Sequence, residues 1–311
     1  MAKAELTIVL PGLATIIEQQ INATIIPPYL AKIMSHSRFA EDTRGLSRLL
    51  FNHFSEKPQT GSDLPLVHLE TGDTRCLRID PCYLVADRDR LLLFTDDITL
   101  SRADSEAFMT EIQPLFTDFG GELRQSPDGH FLLQMESLPE VNFSALDEVS
   151  GKSVDAYLPK GNDRQDWIRL WNEVQMQLYG SEFNQTRVEN KQLAINGIWF
   201  CGAGQCDVKE SPWEKVQGQS MLLKQLANKS TTPFVEDCAF DLASVSAGQH
   251  LWLAQGINLD TDWLGQMQSF DETVLKPLWQ ACRSAKIASI TLQIPEHGSY
   301  QLGILDSWKF W

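Results

Sequence analysis

Residues 167–204 read WIRLWNEVQMQLYGSEFNQTRVENKQLAINGIWFCGAG, and the fold class turns on this stretch. Trp167, Leu170, Trp171, Val174 and Leu178 fall on one stripe at helical spacing, which predicts an amphipathic helix over 163–179. The apolar run 195–200 predicts a strand, stopped by Gly202-Ala203-Gly204. Downstream the alternation repeats, with a strand over 250–254, a helical stretch over 262–285 and a strand over 288–294. Glu296-His297-Gly298-Ser299 reads as a turn into a last segment, 300–311, with an aromatic end. Between them, 207–233 is polar and loop-like, with a short helix over 221–226. Upstream, 6–10 is a strand ending at Pro11-Gly12, and 28–56 has helical spacing. Strands alternating with helices predict an α/β core with a largely parallel sheet.

The period changes in the middle of the chain. Residues 82–86 and 91–94 are short apolar runs on either side of Asp87-Arg88-Asp89-Arg90, a hairpin pattern. A helix follows over 101–119, with Ser101 and Asp104 at capping-box spacing, Pro114 as a kink point and Gly120-Gly121 at its end. A second hairpin turns at Pro127-Asp128-Gly129. Residues 76–136 therefore read β-β-α-β-β. The expected division is an α/β core from 1–75 and 151–311, and an α+β insert subdomain over 76–150. EKPQTGSD (56–63) is a polar loop and a candidate boundary.

Twenty-six basic against forty-one acidic residues leave a net charge of −15, which opposes nucleic-acid phosphates and anionic lipid. The first apolar run, 6–17, is broken by Pro11-Gly12 and is too short to span a bilayer; it reads as a strand followed by a helix rather than as a signal peptide. Six cysteines without CxxC spacing read as reduced, mostly buried thiols of a cytoplasmic protein.

Four patterns could carry chemistry. Gly202-Ala203-Gly204 ends a strand as a phosphate-cradling loop would, but it lacks the third glycine and a tight turn fits it better. Asn184 and Arg187 share a helical face, and a guanidinium fork suits a phosphate or carboxylate; a capping role is the plain alternative. Ser62-Asp63 places a hydroxyl beside a carboxylate in a loop that also reads as a solvated turn. The six histidines are scattered, with no metal-binding spacing, and Glu296-His297 is the one adjacent pair of ligand types among them.

Taken in order, SGKSVDAYLPKG (150–161), the Asn184/Arg187 pair, and then Asn196, Ile198, Trp199, Gly202 and Gly204 resemble a segment of the archaeal-type cofactor-independent phosphoglycerate mutases, of the alkaline phosphatase superfamily. The order is kept over 78–204. A shorter bacterial relative, the RpfE-type regulatory proteins, resembles the whole chain better: it shares IVLPGL (8–13), Asp80-Pro81, the helix at 172–176 and the aromatic end Trp308–Trp311, so the resemblance covers nearly all of the chain, weakly outside 78–204. The resemblance implies a reduced alkaline-phosphatase-like core carrying the insert. Active mutases of the superfamily use two divalent metals and a serine that is phosphorylated. Where their first strand ends in a metal-ligating Asp, this chain has Leu10-Pro11-Gly12; where a later strand carries an Asp and His cluster, 250–265 has no His after His250. The expectation is a non-catalytic regulatory or interaction protein, without metal or cofactor, that meets another protein. A vestigial anion pocket of Lys160, Asn184, Arg187, Asn196, Gly202 and Gly204 would take a small phosphorylated ligand. The alternative is a manganese- or zinc-dependent mutase or phosphatase, with Ser62 as nucleophile and Asp63, Asp260, Asp262, Glu296 and His297 as ligands. A third reading makes Trp308, Phe310 and Trp311 anchors of a protein interface.

Overall fold

The computed structural model describes residues 3–18, 26–59, 61–95, 97–138, 140–259 and 261–308. Phe310, Trp311 and Asp260 lie outside them. The described strands, in chain order, are β1 Ala4–Val9, β2 Arg38–Glu41, β3 Cys76–Asp87, β4 Arg90–Phe94, β5 Gly121–Gln125, β6 Phe131–Met135, β7 Val141–Asn142, β8 Lys160–Gly161, β9 Gly197–Cys201, β10 Trp213–Gln217, β11 Phe234–Val235, β12 Gly248–Leu253, β13 Ile287–Ile294 and β14 Gly298–Gly303. The chain divides into two units, Met1–Pro58 with Val208–Trp311, and Gln59–Asp207.

The first unit is built on a seven-stranded sheet of order β11-β10-β12-β1-β13-β14-β2. Its first four pairings are parallel and its last two antiparallel, so the sheet is largely parallel as the alternation predicts. β1 lies between β12 and β13, and Leu6 and Ile8 are buried there with Ile290, Leu292 and Ile294. β14 turns back antiparallel because Glu296, at φ 62°, makes the turn between Ile294 and Gly298. The helix Pro28–His36 has no side-chain cap of its own. The buried carboxylate of Asp271 supplies one, accepting the N–H groups of Tyr29 (3.1 Å) and Leu30 (2.7 Å).

Three expectations change here. The helical stretch 28–56 is two helices, Pro28–His36 and Leu46–Asn52, with the exposed edge strand β2 between them. The polar stretch 207–233 contains β10, a strand bonded on both sides; only Val216 and Gln217 of it are buried, so it carries no apolar run. The stretch 262–285 is Trp263–Phe270, a π turn over Asp271–Leu275, and Lys276–Arg283. Pro277 has no N–H to give to the preceding turn, and the wider π turn absorbs the gap.

The second unit is an all-antiparallel sheet, β4-β3-β6-β5 with β9 on β3, beside the helices Arg102–Asp118 and Arg164–Leu178. The β-β-α-β-β order is present. The boundaries expected at 75/76 and 150/151 fall instead at 58/59 and 207/208. The reason is β9, which was expected in the parallel core: it pairs with β3 over Arg78–Cys82 and brings the helix Arg164–Leu178 with it. Trp171 Nε1 donates to the Ile198 carbonyl at 2.7 Å, and Trp199 Nε1 to Ser144 at 2.8 Å. Trp167 meets Phe200 and Phe143 edge-on, each with centroids 4.9 Å apart.

The helix Arg102–Asp118 runs unbroken through Pro114 and starts in a complete capping box. Ser101 Oγ accepts the Asp104 N–H at 3.1 Å, and Asp104 accepts the Ser101 N–H at 2.9 Å. The Ser101 hydroxyl and N–H hold the Asp104 carboxyl below its usual range. Ser101→Ala should cost about 1 kcal/mol at neutral pH. Because the folded pKa is lowered, Asp104's contribution is present above the unfolded carboxylate range and fades as pH falls through the folded value. Melts of both proteins from pH 7 to acid should therefore show the gap narrowing; a gap independent of pH would rule out the carboxylate's part in the cap.

Candidate functional site

Two loops of the second unit meet at the end of β9. Asp63 Oδ1 accepts the N–H groups of Leu64 (2.8 Å) and Gly202 (3.0 Å), and Oδ2 accepts that of Ala203 (3.1 Å). Two successive backbone N–H groups pointing at one anion form a nest. The Gly202-Ala203-Gly204 loop is thus an anion cradle, and the anion it holds is the Asp63 carboxylate. Gly202 sits at φ 85°, with Val67 and Arg78 side-chain carbons 3.2–3.3 Å from where a Cβ would stand, so the loop needs glycine there. The Ser62 hydroxyl donates to the Phe143 carbonyl. Beside these groups is a hollow of about 300 Å³, walled by Ser62, Asp63, Asn142, Phe143, Ala203 and Gly204.

Sequence reading therefore placed Ser62, Asp63, Gly202 and Gly204 correctly as loop residues without joining them. The link is the Asp63 carboxylate, and nothing in the spacing of 63 and 202 announces it. A buried polar group beneath the loop was also missed. Arg78 donates to Asp80 at 2.6 Å, and the Cys201 thiol to the other Asp80 oxygen at 3.0 Å. Burial would lower the Arg78 pKa, but the Asp80 carboxylate outweighs it and raises it. Burial, with Asp80 and Asp63 close by, pushes the Cys201 thiol well up, so it stays protonated and is no nucleophile. All six cysteines are free thiols, and five are buried.

The rest of the expected anion pocket lies elsewhere in the unit. Asn184 bonds backbone on three sides: it donates to Leu178 and Ile195 carbonyls at 2.9 and 2.8 Å and accepts the Ile195 N–H at 2.9 Å. Asn196 pairs with both backbone groups of Leu84, at 2.7 and 2.9 Å. Arg187, 1% exposed, donates to the carbonyls of Leu193 (2.8 Å) and Thr99 (3.2 Å) and lies 3.8 Å from Asp104. Lys160 is exposed on β8, paired in register with Asn142. Of the six residues, only Gly204 lines the hollow. The Asn184, Arg187 and Asn196 side chains are clamps on loops and strand ends, because their polar groups face backbone groups.

In the first unit, the carboxyl end of β1 is closed by backbone. Ala254 N–H bonds Val9 O, and Ile257 N–H bonds Pro11 O, both at 3.0 Å. Gly12, at φ 84°, lies so close that a Cβ would stand 2.2 Å from the Ile257 carbonyl oxygen. Asp262 caps a helix through the Gly265 N–H at 3.0 Å, and His297 Nε2 bonds Tyr300 Oη at 2.8 Å. His53, bonded to Gln293 at 2.7 Å, has its pKa lowered, first by burial. Among the described residues no three His, Cys, Asp or Glu side chains are grouped to hold a metal ion. The donor set among the described residues does not fit the two divalent ions that the family resemblance implies.

No family model matches the chain. No curated protein matches it. Among solved structures it is similar to a cofactor-independent phosphoglycerate mutase from Thermoplasma acidophilum, at 14% identity, covering 97% of this chain and 90% of that one, with a TM-score of 0.42. It is also similar to the PH0037 protein from Pyrococcus horikoshii, at 12% identity, covering 97% and 88%, with a TM-score of 0.40. Likeness at that level says nothing of chemistry, which rests on the contacts above. Among the described residues no helix is long and apolar enough to cross a membrane.

Proposed function

We propose that the chain is a non-catalytic regulatory or interaction protein on a phosphoglycerate-mutase-like scaffold, which acts by meeting another protein in the cytoplasm. The observation that carries this is the backbone seal at the end of β1. Where the resembled enzymes need a metal-ligating carboxylate, Leu10-Pro11-Gly12 lies under the Ile257 carbonyl. The Ser62–Asp63 pair supports the same reading. Its hydroxyl proton points at a carbonyl, which cannot take it, and its carboxylate fills the glycine cradle. A small phosphorylated ligand would find its N–H groups at Gly202 and Ala203, with Asp63 in its place.

The test is metal content of protein purified without chelator, together with turnover of 3-phosphoglycerate in added manganese. The expected result is substoichiometric metal, no turnover above buffer, and no difference between the wild type and Ser62→Ala. Near-stoichiometric metal, with turnover that Ser62→Ala abolishes, would establish the manganese- or zinc-dependent alternative instead.

A further inference from the structure

Beyond the carboxyl end of β12, within the first unit, lies a cavity of about 740 Å³. Its walls are the end of β12 with 255–257, the helix Trp263–Phe270 with the π turn behind it, and the segment 238–240. The volume is that of a small-molecule site, and open α/β sheets bind ligands outside the carboxyl ends of their parallel strands. One wall is aromatic. Trp252, 3% exposed, stacks on Phe240 with centroids 4.7 Å apart, and lies nearly parallel to Phe270 at 5.9 Å. Phe240 and Phe270 are half-buried, so ring surface is left for a flat partner.

The charge pattern narrows the ligand. Among the described residues Asp262 is the one charged side chain in the wall. Its carboxylate accepts the Gly265 N–H and offsets the positive end of the helix Trp263–Phe270. An anion would face Asp262 with no cation to meet it. A cation would meet a carboxylate with one oxygen bonded to the Gly265 N–H and the positive helix end beside it, which weakens its pull. The exposed Gln255 amide and Ser269 hydroxyl offer uncharged hydrogen bonds.

We propose that this cavity binds a small uncharged aromatic molecule, its ring against the Phe240–Trp252–Phe270 wall and a polar substituent at Gln255. The site is separate from the glycine cradle, and it rests on the non-catalytic reading, because the metal-dependent alternative would make Asp262 a ligand. Tryptophol, tryptamine and indole-3-acetate carry one ring with neutral, positive and negative side chains, and calorimetric titration of the full chain distinguishes them. Tryptophol should bind, with both charged analogues roughly tenfold weaker or worse. Ser269→Trp and Thr273→Trp, exposed on the cavity wall, should abolish binding, while Gln268→Trp, exposed but off the wall, should leave it intact. Cys238 lines the cavity and is the one cysteine not buried, so its alkylation by iodoacetamide should slow when tryptophol is present. No binding of tryptophol, equal or tighter binding of either charged analogue, or binding unaffected by both tryptophan substitutions in folded protein would overturn the assignment.

Discussion

Arg187→Ala should lower the stability of the second unit by roughly 2–4 kcal/mol, the range for losing two hydrogen bonds made by a buried charged side chain. The guanidinium is almost completely buried and holds the carbonyls of Leu193 and Thr99, which come from segments far apart in sequence. Alanine leaves both carbonyls without that donor and Asp104 without its nearby positive charge. Lysine should recover less than half of the loss, because a point ammonium does not span two carbonyls as the fork does. Urea denaturation of the three proteins, alongside an inorganic phosphate titration, separates a clamp from an anion ligand. Unchanged stability with phosphate binding lost would restore Arg187 to an anion pocket.

Gly12→Ala should be comparably severe, roughly 4 kcal/mol, from a left-handed backbone together with overpacking against a carbonyl that has little room to move. The new Cβ would stand 2.2 Å from the Ile257 oxygen, and Ile257 is held in place by its own N–H bond to Pro11 and by the Asn258 N–H bond to Gln266. Thermal and chemical denaturation measure this directly. A loss below about 1 kcal/mol, the size of an ordinary glycine effect, would mean that the 256–257 segment yields easily. The seal at the end of β1 would then be no barrier to a ligand, and the case for a non-catalytic protein would lose its main support.

Much of the fold was readable because the relevant signals are local. The stripe Trp167–Leu178 and the apolar runs of β1, β12 and β13 are buried for the same hydrophobic reason that makes them periodic. The capping box at Ser101 and the turn at Glu296-His297 are likewise decided within a few residues. β2 and β10 were not readable. Each is largely exposed or alternating, and each is a strand because a neighbour already in the sheet offers it hydrogen bonds.

The candidate site divides the same way. Composition and spacing were enough to mark Ser62-Asp63, Asn184/Arg187 and the 202–204 loop as unusual. They could not say what those polar groups face. An asparagine or arginine reads the same in sequence whether it binds a phosphate or a buried carbonyl, since both are acceptors and the choice lies with chain segments dozens of residues away. The pairing of β9 with β3 moved the 184–204 stretch out of the parallel sheet, turned Asn184, Arg187 and Asn196 toward backbone, and set the glycine loop against Asp63. Long-range strand pairing and the satisfaction of buried polar groups are cooperative properties of the folded chain.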